Sequence, residues 1–579
     1  MASHTSARKD IALSVLGPHW RMLVKDGSDT QSLGRDSAWL GDAFLQRLDT
    51  VAGLVSGVGQ KRKVLIYGRN PLARWILKNI DDTRFETFVI RPGDAVEPDL
   101  PAHVRVLGDA RELAHGRLDI ALITSTDEDQ IRRHHDELRH HFPLYCIHQI
   151  DAELKELAGG MRQAAMHERA AELLRYLDNE ARPCVLFIAS NVFFNQLRMS
   201  AALRGKGWAT IALSLDPRKG EHQRAYFDRF FHIDLDYLLD ILSELRNVVL
   251  HTQGWLNAYH IPVLIDAFRS DDVRHVVEMM DVQSFFLPLE DEERMAPFIQ
   301  QTWGEKALDH IGLQRRCERY IVENCQGVVF PGGKIHQELL CPDGDERRFC
   351  NFPSLPYRAF FSHANKSPPG NSEEKWCLGF AGGIPPRDAR HPHELFGDAQ
   401  IFGIIERLLA QGIEVEVFNN PKMIREQDLR SAYSEYFELQ ETDPRFRFRY
   451  GLMPSELADR ISHWHFGIML YDFKGVLVGE NHFRAIMPSK FFQYLEAGLP
   501  VLVSHRFESL CELVREFEVG LVIDDGDVDR ICEILDRCDY QALRDNVRKA
   551  RESLCMDENI TELIALYEDR IRDVDPVLW

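Results

Sequence analysis

The stretch Pro488-Ser-Lys-Phe-Phe-Gln-Tyr-Leu-Glu-Ala-Gly-Leu-Pro-Val501 holds the residue types in this chain best suited to chemistry. Pro488 and Ser489 start a helix, Gly498 stands where a left-handed C-terminal cap belongs, and Pro500 blocks continuation before a buried strand. Such a helix presents unpaired amides and a positive dipole end, and Lys490 adds a mobile cation; together they suit a diphosphate. A capped core helix with a solvated lysine accounts for the same spacing. A second element is Gly379-Phe-Ala-Gly-Gly-Ile384, where Gly382 and Gly383 let backbone approach a phosphate or sugar, with Arg387 and Arg390 in the same loop. A plain turn is the other reading of that glycine pair. His251 closes the apolar run Asn247-Val-Val-Leu-His251, so it is expected at the carboxyl end of a strand, facing a cleft in a catalytic or a structural role. Asp281, after Met279-Met280, has a comparable place.

The surrounding pattern alternates strand, turn and helix, which argues for α/β architecture with parallel sheets. Residues 1–60 read as a helical lead-in. Within 61–150, short apolar runs at Lys63–Tyr67, Thr87–Ile90, His103–Leu107 and Asp119–Ile123 make a Rossmann-like accessory domain. Its loop Gly68-Arg-Asn-Pro-Leu-Ala73 lacks the second glycine of a dinucleotide fingerprint. Residues 151–180, rich in Glu, Ala, Leu and Arg, form a connecting helix. A second unit, 181–365, shows strands at Val185–Ala189, Ala209–Leu213, Asn247–His251 and Gly327–Phe330, with a helix at Phe194–Lys206. A Pro-, Gly- and Ser-rich linker, Asn365–Glu374, precedes a third unit, 375–579. Its strands fall at Lys375–Phe380, Ile413–Phe418, Phe446–Arg449, Phe466–Tyr471, Pro500–Val503 and Gly520–Ile523.

Composition narrows the classes. The 579 residues exceed what one core serves, and 45% hydrophobic with 27% charged content is that of a globular protein. A formal charge of -21 repels nucleic acid at long range. The opening residues have no apolar stretch of signal-peptide length, and the apolar runs fall short of the roughly 18–20 residues that span a bilayer. Eleven scattered cysteines without a CxxC pair fit reduced thiols, so a cytoplasmic protein is expected. His134, His135, His140, His141 and His148 fit a solvated helix face better than metal ligation, and no metal or cofactor is expected.

The Pro488–Val501 run resembles the donor-site signature of retaining GT-B glycosyltransferases of family 4, in which a Pro-Ser-Lys helix ends in Ala-Gly-x-Pro-Val. The likeness spans Trp376–Asp536 by motif and Ala181–Pro356 by strand order, leaving residues before 160 unmatched. It implies two Rossmann-like domains in a GT-B arrangement behind the additional N-terminal one, with residues 375–579 binding a nucleotide-sugar donor and 181–365 the acceptor. It also implies that Lys490 and Arg387 stabilise the leaving diphosphate, that Arg387 is the phosphate-binding arginine, and that Gly382, Gly383 and Ser489 border the donor. The family's second glutamate, which holds the donor ribose, is replaced by Gln493, and its first by Ala485. Gln493 still hydrogen-bonds a hydroxyl, and Glu496 or Glu480 would supply a carboxylate. The expected function is therefore glycosyl transfer to a glycan, a lipid-linked glycan or a protein. The alternatives are a sugar-nucleotide epimerase or dehydrogenase built on the first unit, and a glycosyltransferase-like scaffold without turnover.

Overall fold

The computed structural model describes residues 2–18, 61–67, 85–90, 103–107, 120–123, 147–149, 152–189, 194–215, 221–288, 307–345, 347–362, 375–384, 400–420, 429–474 and 478–569, with isolated positions between them. Arg387, Arg390, the loop 68–73, the linker 365–374 and His134, His135, His140 and His141 lie outside the described residues.

Three parallel sheets form the scaffold. The first contains β1 (Arg62–Tyr67), β2 (Phe85–Ile90), β3 (Val104–Leu107), β4 (Ile120–Ile123) and β5 (Ile147–Gln149) in the order β3-β2-β1-β4-β5. The second holds β6 (Cys184–Ala189), β7 (Ala209–Ser214), β8 (Arg229–His232), β9 (Val248–Gly254), β10 (His275–Met279), β11 (Gly327–Phe330) and β12 (Phe349–Asn351) in the order β12-β11-β10-β9-β6-β7-β8. The third holds β13 (Cys377–Gly382), β14 (Glu414–Asn419), β15 (Phe446–Arg449), β16 (Phe466–Met469), β17 (Val501–Ser504) and β18 (Gly520–Ile523) in the order β15-β14-β13-β16-β17-β18. In each sheet the chain starts near the middle, winds to one edge and then crosses to the other side. A crevice opens outside the carboxyl ends of the strands where the direction reverses, between β6 and β9 in the second sheet and between β13 and β16 in the third.

Strands β5, β8 and β12 are elements that the hydrophobic pattern does not reveal, and of β10 it marks only the end, ahead of Asp281. In β10 the apolar run is interrupted by His275 and Glu278, both fully buried and held by hydrogen bonds to neighbouring side chains. Strand β9 continues past its expected end at His251 through Thr252 and Gln253, which are buried despite their polarity.

Two helices expected to stand apart from the second unit pack on its sheet. Ala12 and Leu16 of helix Ala2–Leu16, and Ala170, Leu173 and Leu177 of helix Ala152–Asn179, join a core cluster with Leu186, Ile211 and Ile265. Arg8 donates to the Arg269 carbonyl at 2.7 Å. From the other end of the chain, helix Met556–Tyr567 returns to the second sheet, where Leu566 crowds Gly327 and Tyr567 covers His251. Second and third sheets therefore share one large apolar cluster, from Val185 and Phe187 to Phe491 and Tyr567. Among the described residues one isolated antiparallel bridge, Gly332 to Ile486, adds a backbone seam between them.

Candidate functional site

Helix Ser489–Glu496 lies between β16 and β17. Pro488 is its N-cap and accepts nothing through its side chain, so the first amides are left for another partner. Gly498 has φ +73° and closes the C-terminus, the left-handed conformation that its spacing predicts. The helix is fixed against β13 by Tyr494, whose hydroxyl accepts the Ala381 N–H at 3.1 Å and donates to the Ile468 carbonyl at 3.3 Å. Burial pushes the Tyr494 phenol well above its ordinary range, so it stays a neutral hydrogen-bonding group.

The helix start and the carboxyl ends of β13, β14 and β15 line a cavity of about 100 Å³ that opens to solvent. Its wall carries Gly382, Gly383, Ser489, Lys490 and Gln493, five of the residues singled out by sequence. The Lys490 side chain runs over Gly382 so closely that a Cβ there would overlap its Cε; the glycine is what lets the lysine lie on the backbone. The ammonium stands 5.5 Å from the Phe380 ring centroid and 5.8 Å from that of Tyr471, which holds the cation without neutralising it. Among the described residues Lys490 makes no ion pair.

Four sequence candidates lie elsewhere. His251 is mid-strand and fully buried, its Nδ1 2.6 Å from the Tyr567 hydroxyl and its Nε2 3.7 Å from Glu278. Because β9 runs three residues further than expected, this imidazole packs in the core beneath helix Met556–Tyr567 instead of standing at the strand end. Glu496 is 1% exposed and bound by Arg198 through Nε at 2.8 Å and Nη2 at 2.6 Å, while its Oε1 also accepts the Tyr357 N–H at 2.9 Å. Each three-residue step along a helix turns a side chain by about 60°, so Lys490 and Gln493 meet the cavity and Glu496 has rotated onto the second sheet's helix Phe194–Gly205. Glu480, exposed at the start of helix Glu480–Ala485, does not line the cavity. Asp281 accepts the Trp255 indole N–H at 2.7 Å.

The pattern also leaves residues unnoticed. Phe418, Asn419, Asn420, Gly451, Leu452 and Leu457 complete the cavity wall. Their signal is position: Asn419-Asn420 and Gly451-Leu452 follow the apolar runs of β14 and β15, where an open α/β sheet receives ligands. Among the described residues, one group has metal-ligand spacing, Asp266, His275 and Cys325. His275 is already shared between Thr252 at 2.8 Å and Asp266 at 3.2 Å, and Asp266 also takes Arg269 and Tyr320, which makes this a self-satisfied core network.

Residues 419–565 match the family model of the glucosyltransferase 3-like C-terminal domain. That match puts a glycosyltransferase-type domain in the C-terminal part of a chain built on three parallel Rossmann-like sheets. No curated protein matches it in sequence. Solved structures similar to it include a glycosyltransferase from Rickettsia africae ESF-5, 9% identical over 68% of this chain and 100% of that one, with a TM-score of 0.43. TarM is 7% identical over 67% of this chain and 99% of its own, at a TM-score of 0.42. AviGT4, a glycosyltransferase involved in avilamycin A biosynthesis, is 13% identical over 67% of this chain and 97% of its own, at 0.39. Among the described residues no helix is long and apolar enough to cross a membrane.

Proposed function

We propose that the protein transfers a glycosyl group from a nucleotide sugar, bound in the Gly382–Lys490 cavity, to an acceptor hydroxyl presented by the second sheet. The observation that carries this reading is Lys490, an ammonium on a cavity wall, unpaired among the described residues and beside a glycine backbone and the amides of a helix start. That constellation suits the diphosphate. Gln493, on the same wall, suits a ribose hydroxyl. From the likeness to family 4 we take a retaining outcome and a second phosphate cation at Arg387. As the bond from sugar to diphosphate breaks and the acceptor oxygen bonds the anomeric carbon, the departing diphosphate takes the acceptor's proton. Lys490 balances the charge that grows on it. In this scheme residues 375–579 bind the donor, 181–365 take a glycan, lipid-linked or protein acceptor, 61–150 form an accessory domain, and the enzyme works in the cytoplasm.

A panel of nucleotide sugars screened by thermal shift should yield one that raises the melting temperature, because a ligand of the folded state stabilises it. With that donor, Lys490→Ala should lower turnover by on the order of 10²-fold, and more than it lowers donor affinity. Wild-type turnover in the variant would remove the donor from this cavity.

A further inference from the structure

Strand β9 ends at Gly254, and the next residue, Trp255, is 36% exposed; among the described residues no other Trp, Phe or Tyr has as large a share of its surface in water. Tryptophan ordinarily buries most of its surface, so this placement needs a reason. The residue is firmly held. Its indole N–H donates to Asp281 at 2.7 Å, just past the end of β10, and its carbonyl accepts the Ala258 N–H at 2.7 Å. The chain on either side is clipped to the exit of β10: the Met280 N–H donates to the Gly254 carbonyl at 2.9 Å and the Leu256 N–H to the Asp281 carbonyl at 3.3 Å. Tyr259 backs the turn, packed so tightly on Gly254 that a Cβ there would overlap its ring. With the N–H edge taken by Asp281, what the exposed indole offers a ligand is ring carbon, already ordered.

Trp255 and Asp281 stand at the carboxyl edge of the second sheet, beside the crevice between β6 and β9. That edge faces the third unit. The Phe286 carbonyl, in the short helix after β10, accepts the Gly479 N–H at 3.0 Å, and Gly332, just past β11, bridges Ile486, which runs directly into the start of the donor helix.

An aromatic ring with a carboxylate fixed at its edge matches one acceptor chemistry. A pyranose has an apolar face of C–H bonds and a rim of hydroxyl donors. The face can lie on ring carbon while the rim reaches the carboxylate, which has about four lone-pair sites, of which the indole N–H uses one. A lipid chain would gain from the ring but not from the charge beside it, and an acceptor carrying phosphate or a uronate at this point would be repelled.

We propose that Trp255 and Asp281 form an acceptor subsite for a neutral pyranose, so that the acceptor is a glycan and Trp255 selects it by stacking. The inference rests on the acceptor role given above to the second sheet and names the substrate class.

The test applies the full chain to an array of neutral and acidic glycans, alone, with UDP and with GDP, and measures the affinity of the best glycan by calorimetry. Wild type should bind neutral pyranose-bearing glycans in preference to those bearing uronate or phosphate. Trp255→Ala should weaken the best glycan by about tenfold or more, since truncating an aromatic anchor costs at least that, and should leave the melting temperature nearly unchanged. Trp255→Phe, which keeps a flat ring, should recover part of the loss, and Asp281→Ala, which frees the indole and removes the acceptor of hydroxyls, should weaken the glycan as well. An array silent in all three conditions, a preference for acidic glycans, or a glycan affinity unchanged in Trp255→Ala overturns the subsite. The donor cavity is read separately, from thermal shifts with nucleotide sugars. Shifts retained while the Trp255 variants bind glycan like wild type leave the donor site standing and remove the subsite; glycan binding that depends on Trp255, without any nucleotide-sugar shift, keeps the subsite and removes the donor site.

Discussion

Glu496 separates two accounts of the donor helix by experiment. Its spacing on that helix suggests a donor-binding carboxylate; its surroundings make it half of an ion pair joining the two sheets. The pair is bidentate, with both side chains essentially without solvent contact at 0% and 1% exposure. Removing one partner of such a pair leaves the other charge buried and uncompensated, a loss of about 3–5 kcal/mol. In Arg198→Ala the carboxylate would keep the Tyr357 N–H. In Glu496→Gln the guanidinium would keep the Phe360 ring, 5.5 Å away. Both should therefore fall within that range. At about 2–4 °C per kcal/mol for a core of ordinary size, the melting temperature should drop by on the order of 10 °C. Replacing both partners with apolar residues, Arg198→Met with Glu496→Leu, should recover most of the loss, since no charge is then stranded. Urea and thermal melts of the three variants, with nucleotide-sugar affinity measured on each, make the assay. A Glu496→Gln variant that melts like wild type yet loses donor affinity would refute the ion-pair account and return Glu496 to the ligand.

Other expectations follow from the packing and from the buried imidazoles. A chain starting at residue 181 discards Leu16, Leu173 and Leu177 from the second sheet's core, each worth about 1.5–3 kcal/mol on burial, and should melt well below the full chain or aggregate; a fragment that matches the full chain's transition refutes the docking of the two N-terminal helices. His336 is held down to about 3, by burial first and by neighbouring His482 second, and His260 to about 4, by burial and His310. Both lie below the ordinary value, so the unfolded chain binds more protons, and their stabilisation is complete above about pH 6.5 and shrinks as pH falls toward 4. His336→Phe, which keeps ring contact with Phe285 and Phe330, should flatten this acid loss by about 1.4 kcal/mol per pH unit in urea midpoints between pH 6 and 5; an unchanged slope excludes His336 as a source. Lys490→Arg should not restore the turnover lost in Lys490→Ala, because the bulkier fork cannot follow the path over Gly382 that the lysine methylenes take; full recovery in steady-state kinetics would show that charge alone suffices.

What the sequence by itself determined is what a few neighbouring residues encode. Short apolar runs separated by turn residues announce the strands of three parallel sheets, because a strand buried on both faces must be apolar along its length. The Pro488–Val501 stretch announces a capped helix whose first turn carries Lys490, because caps and first-turn charges are set within one or two helical turns. What only the tertiary structure decided involves partners far apart in the chain. Arg198 and Glu496 are 298 residues apart, and no local pattern tells a carboxylate that meets a buried arginine from one that meets a ribose. His251 and Tyr567 are 316 apart, and the histidine's burial depends on a C-terminal helix returning to the second sheet. Helix Ala2–Leu16, whose sequence shows no destination, lands on helix His260–Phe268 because that face of the second sheet's layer is left apolar. Local rules of capping and alternation place side chains on elements, but which buried charge meets which partner is settled by the packing of sheets, where a desolvated group must find its complement wherever the chain brings one.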